Sequence, residues 1–343
     1  MRTPDHRPAA VADTEELRPL PAATPPRARR WPVLELLVGL VVLVAVFRDR
    51  IAALVDGPAL QTWALVFVSV VLQALPFLML GVLVSGAIAA LLPAGWLARA
   101  LPRRPVLAVP SAGLAGALLP GCECGSVPIA GRLVARGVLP AAAMAFLLAA
   151  PAINPVVLVS TAVAFPGQPR IVLARFLASF GVAVIMGLAW SRFGNEALIE
   201  RARRRIVPGA SRWATFVGTV RHDFLHAGGY LVVGGLAAGT LKVAVPASWL
   251  DALAGSGPTA VVALGLLAFV LAICSEADAF VAASLTQFSA TARLAFMVVG
   301  PAVDVKLVAL QAGVFGRGFA IRFAPATFAV ALIAAGIVGR WLL

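Results

Sequence analysis

Charge is the scarcest commodity in this chain: Asp, Glu, Lys and Arg make up 13% of its 343 residues, against 61% hydrophobic. So little charge cannot cover the surface of one soluble core of that size, so lipid must serve as solvent. Aromatics are few as well, at 8% with a single tyrosine, and no stacking platform or recognition helix can be read. The net charge of +13 is scattered between apolar runs or gathered in short flanks such as Arg99, Arg103 and Arg104, which is loop charge and not a nucleic-acid stripe. Lysine occurs only at Lys242 and Lys306, and neither follows a glycine, so no phosphate-binding P-loop is present and an ATP-driven partner would be another polypeptide. Cysteines number three, an odd count without framework spacing, which excludes a disulfide scaffold.

What is present is a set of long apolar runs. Residues 1–30 are polar and rich in proline and read as a disordered tail without a secretory signal. Arg27, Arg29 and Arg30 precede a first membrane helix, assigned to 31–55, and place the N-terminus in the cytoplasm of a multi-pass inner-membrane protein. Further runs follow at 62–92, 106–119, 138–163, 171–190, 227–246, 259–273, 294–315 and 321–343, several of them reaching the ~20 residues that a spanning helix needs. Two are too short. Runs 106–119 and 259–273 lead straight into polar breaks, Pro120-Gly-Cys-Glu-Cys-Gly125 and Cys274-Ser-Glu-Ala-Asp278, the mark of a re-entrant or discontinuous helix.

An offset of about 150 residues makes the chain self-similar. Cys124 falls on Cys274, Pro151-Ala-Ile-Asn154 on Pro301-Ala-Val-Asp304, and Phe165 on Phe315; after a three-residue gap Pro93-Ala-Gly-Trp96 falls on Pro246-Ala-Ser-Trp249, and Gly81 on Gly234. The reading is therefore an all-α polytopic membrane protein of two repeats, 56–190 and 227–343, joined by a basic cytoplasmic linker at 191–226. Basic residues flank opposite ends of equivalent helices, as at Arg99, Arg103 and Arg104 but not near Asp251. That antisymmetry predicts inverted topology, with a broken helix of each repeat near mid-membrane.

All three cysteines lie in the two equivalent breaks. Pro120, Gly121, Gly125 and Pro128 predict extended or irregular backbone that lets Cys122 and Cys124 project together, and Cys274 would share a helical face with Asp278. Thiolates with carboxylates suit zinc-like divalent ions; thiolates alone suit softer thiophilic species. The candidate metal ligands are Cys122, Cys124, Cys274, Glu276 and Asp278, and the wider substrate set adds Glu123, Asn154 and Asp304. Buried cysteines also serve merely as small packing hydrophobes. Against that alone stand Glu123, Glu276, Asp278 and Asp304, because an ionisable group at membrane depth costs at least ~2.5–3.5 kcal/mol unless paired or wetted. Asn154 and Asp304 each follow a Pro-Ala pair that interrupts a helix and frees carbonyls for ions, or else cap a kink or pair locally with Lys306. His222, Asp223 and His226 read as residues at a helix entry on the interface.

Gly121-Cys-Glu-Cys-Gly125 with Pro128, Ala145-Phe-Leu-Leu-Ala-Ala-Pro-Ala-Ile-Asn-Pro155, Cys274-Ser-Glu-Ala-Asp-Ala-Phe-Val281 and Gly300-Pro-Ala-Val-Asp-Val-Lys306 together resemble the ArsP/YraQ-type family of predicted permeases, in its YcgR-like branch. The resemblance covers 62–325 and leaves out the tail. It implies a multi-pass inner-membrane permease, with organoarsenical efflux for ArsP members and metal homeostasis for YcgR-like ones, and a substrate role for Cys122, Cys124 and Cys274. The expected function is a secondary permease for a thiophilic metal or metalloid, with no cofactor and with a further membrane or extracytoplasmic subunit as a possible partner. Two other readings stand beside it: a proton-coupled permease for an organic or lipid-linked cargo whose cysteines only pack, and an intramembrane enzyme or non-transporting subunit, which lacks a readable nucleophile and base pair.

Overall fold

The computed structural model describes residues 58–92, 96, 99, 101–102, 104–119, 121–203, 211–244 and 257–343. The tail at 1–30, the first membrane helix at 31–55 and the tips at 93–95 and 245–256 lie outside the described residues. Every regular element that is described is helical. They are α1 (Pro58–Leu91), α2 (Pro105–Ala117), α3 (Glu123–Ala135), α4 (Pro140–Ala152), α5 (Pro155–Ala164), α6 (Pro169–Phe193), α7 (Arg212–Ala244), α8 (Gly257–Leu271), α9 (Asp278–Ser284), α10 (Ala290–Ala302), α11 (Val305–Val314) and α12 (Arg317–Leu342). One turn of 3-10 helix at Glu196–Leu198 and one of α-helix at Glu200–Arg203 stand between α6 and α7.

Six stretches among the described residues are long and apolar enough to cross a membrane: Leu60–Leu91, Pro140–Ala164, Pro169–Phe193, Arg212–Ala244, Ala290–Val314 and Arg317–Leu342. Pro105–Ala117 and Gly257–Leu271 are apolar but shorter. Outward-facing Leu65, Leu72, Ile321 and Ile337 are mostly exposed, and the small residues Ala74, Ala108, Ala112, Ala268 and Ala335 are buried between helices. Lipid-exposed bulk with small residues at the helix contacts is the packing that a bilayer favours.

The element order runs twice: a long helix, a short apolar helix, a break, a short helix, a span split in two, and a long helix. The split falls at equivalent places, since α4 ends at Ala152 and α5 starts at Pro155, while α10 ends at Ala302 and α11 starts at Val305. Proline accounts for both. Pro151 and Pro301 lack the amide of the helix ladder, and Asn154 and Asp304 then cap the next helix with their side-chain oxygens on the amides of Val157 and Leu307.

Equivalent helices also touch each other, α1 with α7, α4 with α10 and α6 with α12. The short helices cross over: α3 packs on α11, and α9 packs on α5. Each break is thereby set against the split span of the other half.

Two expectations need correction. The segment 191–226, read as linker, is helical from Arg212 onward, so its last part forms the first turns of α7. The irregular backbone expected around the first break is shorter than the prolines suggested, because α3 is already helical from Glu123 and contains Pro128. At the sixth position of α3, Pro128 lacks the amide that would bond the Cys124 carbonyl, so the helix runs on through the proline at the loss of one ladder bond.

Candidate functional site

Cys122 is the N-cap of α3, with extended backbone (φ −88°, ψ 178°) and 1% exposure. Its Sγ lies within 4.8 Å of the Sγ of Cys274. All three thiols are free and buried. The ligating atoms of Cys122, Glu123 and Cys274 lie within 4.8 Å of one another. The two breaks thus bring together two thiols and a carboxylate from segments at opposite ends of the repeat offset, in a buried site.

Glu123 needs a counter-charge at that depth, and Lys306 supplies it. The ammonium of Lys306 lies 2.5 Å from Glu123 Oε1 and 3.6 Å from Asp304 Oδ2, with all three residues fully buried. Lys306 meets both carboxyl groups as an ion pair, and both Glu123 oxygens and Asp304 Oδ2 have no hydrogen-bond donor among the described residues. Lys306 instead donates to the carbonyl of Ala272 at 3.1 Å. Ala272 is in the left-handed region at φ 48°, the single non-glycine there among the described residues. For a residue with a Cβ that conformation costs about 1–2 kcal/mol, and it turns the chain at the end of α8 so that Cys274 enters the cluster.

The carboxylates divide into different roles. Asp304 caps α11 through Oδ1, 2.5 Å from the amide of Leu307. Asn154, at the equivalent position, caps α5 and donates from Nδ2 to the carbonyls of Gly121 at 3.1 Å and Ala150 at 3.0 Å, which anchors the first break to α4. Asp278 was expected among the metal ligands, but it is buried against Arg175, with Nη2 of Arg175 2.8 Å from its Oδ2, and it stands outside the thiol and carboxylate group. Glu276 is half-buried and stands outside the group too. Two carboxyl groups and one ammonium meet at the centre, and the donor set has the mixed sulfur and oxygen chemistry of a borderline-soft cation.

Sequence reasoning missed Arg175 and the true role of Asp223. Arg175, 0% exposed, reaches from α6 to Thr161 Oγ1 at 2.8 Å and the Ser275 carbonyl at 3.1 Å as well as to Asp278. Asp223, read as an interface residue, is buried and accepts from Arg132 Nη2 at 2.9 Å and from Ser85 Oγ at 2.9 Å. The signal was available, because a lone arginine inside the apolar run 171–190 must find a partner in the protein. His222 and His226 stack with ring centres 5.8 Å apart, and His226 reaches the Gly313 carbonyl at 3.0 Å.

A bundle of apolar helices whose two halves close over a buried cluster of ionisable and thiol side chains is built as a multi-pass membrane protein. The chain belongs to the family described as ArsP_1, predicted permease, whose model it matches over residues 59–340. It is 35% identical over 278 residues to UPF0718 protein YcgR of Bacillus subtilis (strain 168), covering 79% of this chain and 94% of that protein. It is 30% identical over 282 residues to a putative two-component membrane permease complex subunit of Streptococcus mutans serotype c, covering 80% of this chain and 94% of the relative. No solved structure matches the chain.

Proposed function

We propose that this permease moves a thiophilic metal or metalloid through the cluster of Cys122, Glu123 and Cys274, with Cys124 as the adjoining thiol. The reading rests on one observation: a sulfur from each half and a carboxylate have ligating atoms within 4.8 Å of one another in a buried site. Packing of the cysteines alone does not account for Glu123, whose charge Lys306 balances but whose two oxygens have no hydrogen-bond donor among the described residues. A zinc-like divalent ion suits two thiolates and a carboxylate that must release it again, whereas a trivalent arsenical would use sulfur only. The mixed set favours the divalent ion.

The halves are inverted repeats in this reading, with the cluster near the bilayer midplane and the N-terminus in the cytoplasm. The name of the Streptococcus mutans relative supports a second subunit for this chain as well, which co-purification from the native membrane would reveal.

Flux into proteoliposomes of Zn(II), Cu(I), arsenite and methylarsenite tests the proposal. Cys122→Ser and Cys274→Ser should each abolish transport of the true cargo. Glu123→Gln should abolish Zn(II) flux but spare an arsenical. Unchanged flux of all four in both serine variants would mean that the cysteines only pack and the cargo is of another class.

A further inference from the structure

Lys306 stands out once the two halves are compared. The offset that pairs Asp304 with Asn154 pairs Lys306 with Val156, which is 48% exposed, and pairs Glu123 with Ile273. The ion pair between Lys306 and Glu123 therefore has no counterpart at the equivalent positions of the other repeat. It joins the halves at the cluster: the ammonium contacts Glu123 at the start of α3 and donates to the Ala272 carbonyl at the kink that delivers Cys274.

We propose that Lys306 is a tethered competitor of the cargo, holding Glu123 by ion pairing until an arriving cation displaces it. The inference rests on the metal-permease reading and adds a specificity-determining residue to it. The contest for Glu123 carries the argument: the ammonium sits 2.5 Å from one oxygen of the carboxylate that the ion needs beside the two sulfurs. Sharing Glu123, with the ion on one oxygen and the ammonium on the other, would hold two cations against one carboxylate in a buried site, where their repulsion is poorly screened. Displacement of Lys306 removes that conflict, and it also withdraws the hydrogen bond from Ala272. Binding at the cysteines is then felt at the kink of α8, a coupling between the break in one half and the break in the other.

The competition also sets selectivity. A monovalent cation gains no more charge interaction at Glu123 than the ammonium it must evict, whereas a divalent thiophilic ion gains the second charge and the two sulfurs.

The test uses the full chain in detergent with Cd(II), a thiophilic divalent probe whose thiolate complexes absorb in the ultraviolet, and with Zn(II) flux in proteoliposomes. Lys306→Met should bind Cd(II) about tenfold or more tightly than the natural chain, in line with the coupling of close buried charge pairs, while its Zn(II) flux falls. Lys306→Arg keeps the charge and should therefore bind Cd(II) more weakly than Lys306→Met. In the natural chain, isotope-labelled lysine gives two side-chain signals, from Lys242 and Lys306, and only the Lys306 signal should move as Cd(II) saturates the site. That measurement decides the matter even if Lys306→Met does not fold. If Cd(II) binds through Cys122 and Cys274 but the Lys306 signal stays still, or if Lys306→Met binds no more tightly, the competition is wrong and the metal reading survives. If the natural chain binds no Cd(II) at all, the metal reading fails and the competition falls with it.

Discussion

Ala272 is a small residue asked to do what glycine does more cheaply. Its φ of 48° puts a Cβ against the following carbonyl, at about 1–2 kcal/mol. The Lys306 hydrogen bond to its carbonyl helps to hold that shape. Ala272→Gly removes the Cβ conflict but loosens the unfolded chain by up to about 1 kcal/mol, so its thermal midpoint in detergent should match or slightly exceed that of the natural chain. Ala272→Val adds a branched side chain to the same backbone and should unfold well below it. Equal losses in both variants would show that the left-handed turn is not the constraint. Nothing in the residues around Ala272 announces this turn, since alanine has no preference for it. The cysteines were legible because of their rarity, and Glu123 because of its cost in an apolar setting. Arg175 and Asp278 were harder: each was visibly expensive, but they stand 103 residues apart, and sequence distance hides which charge answers which.

Helices α1 and α3 meet through glycine. A Cβ built on Gly81 would lie 2.4 Å from Gly125 Cα, and on the equivalent Gly234 of α7 it would lie 2.8 Å from Lys306 Cα in α11. In both cases the obstacle is backbone, which cannot swing aside as a side chain can. Gly81→Val should therefore displace α3, with Cys122 and Cys124 on it, and cost about 1–3 kcal/mol or more together with Cd(II) binding. Gly229→Ala is the matched control. It meets nothing within 4 Å, and a helical glycine replaced by alanine gains up to about 1 kcal/mol. Binding and melting in detergent read both, and a Gly81→Val protein that melts and binds like the natural one would refute the close approach. At this scale the sequence was most informative: the two short runs, both breaks and both Pro-Ala interruptions were readable from length and proline alone. The start of α7 was not, because the arginines at 201, 203, 204, 205, 212 and 221 drew the eye to a loop, while Trp213, Phe216 and Val217 of the first turns already form a helical stripe.

The halves of the molecule are held together by buried charge as well as by apolar contact, and this bears on how they can move. Arg175 of α6 reaches Asp278 and the Ser275 carbonyl across the boundary between the halves, and Arg132 of α3 reaches Asp223 of α7. Such pairs are weak sources of net stability, since desolvation of two ions offsets most of their attraction. They are strong constraints on register, because either partner left alone is a charge in a dry interior. Arg175→Met should therefore lower stability by about 3–5 kcal/mol, and Asp278→Leu should do the same by stranding the guanidinium. The double variant removes both charges and should recover most of the loss. A double-mutant cycle on thermal unfolding should yield a coupling above about 1 kcal/mol. Additive losses would mean that the two side chains do not compensate each other and that the crossing of α9 over the first half is held by something else. If alternating access rocks one half against the other, this boundary is where contacts must exchange. The stability-restored double variant is then the informative protein for flux, because it keeps the fold while removing the brace that fixes the second break against α6.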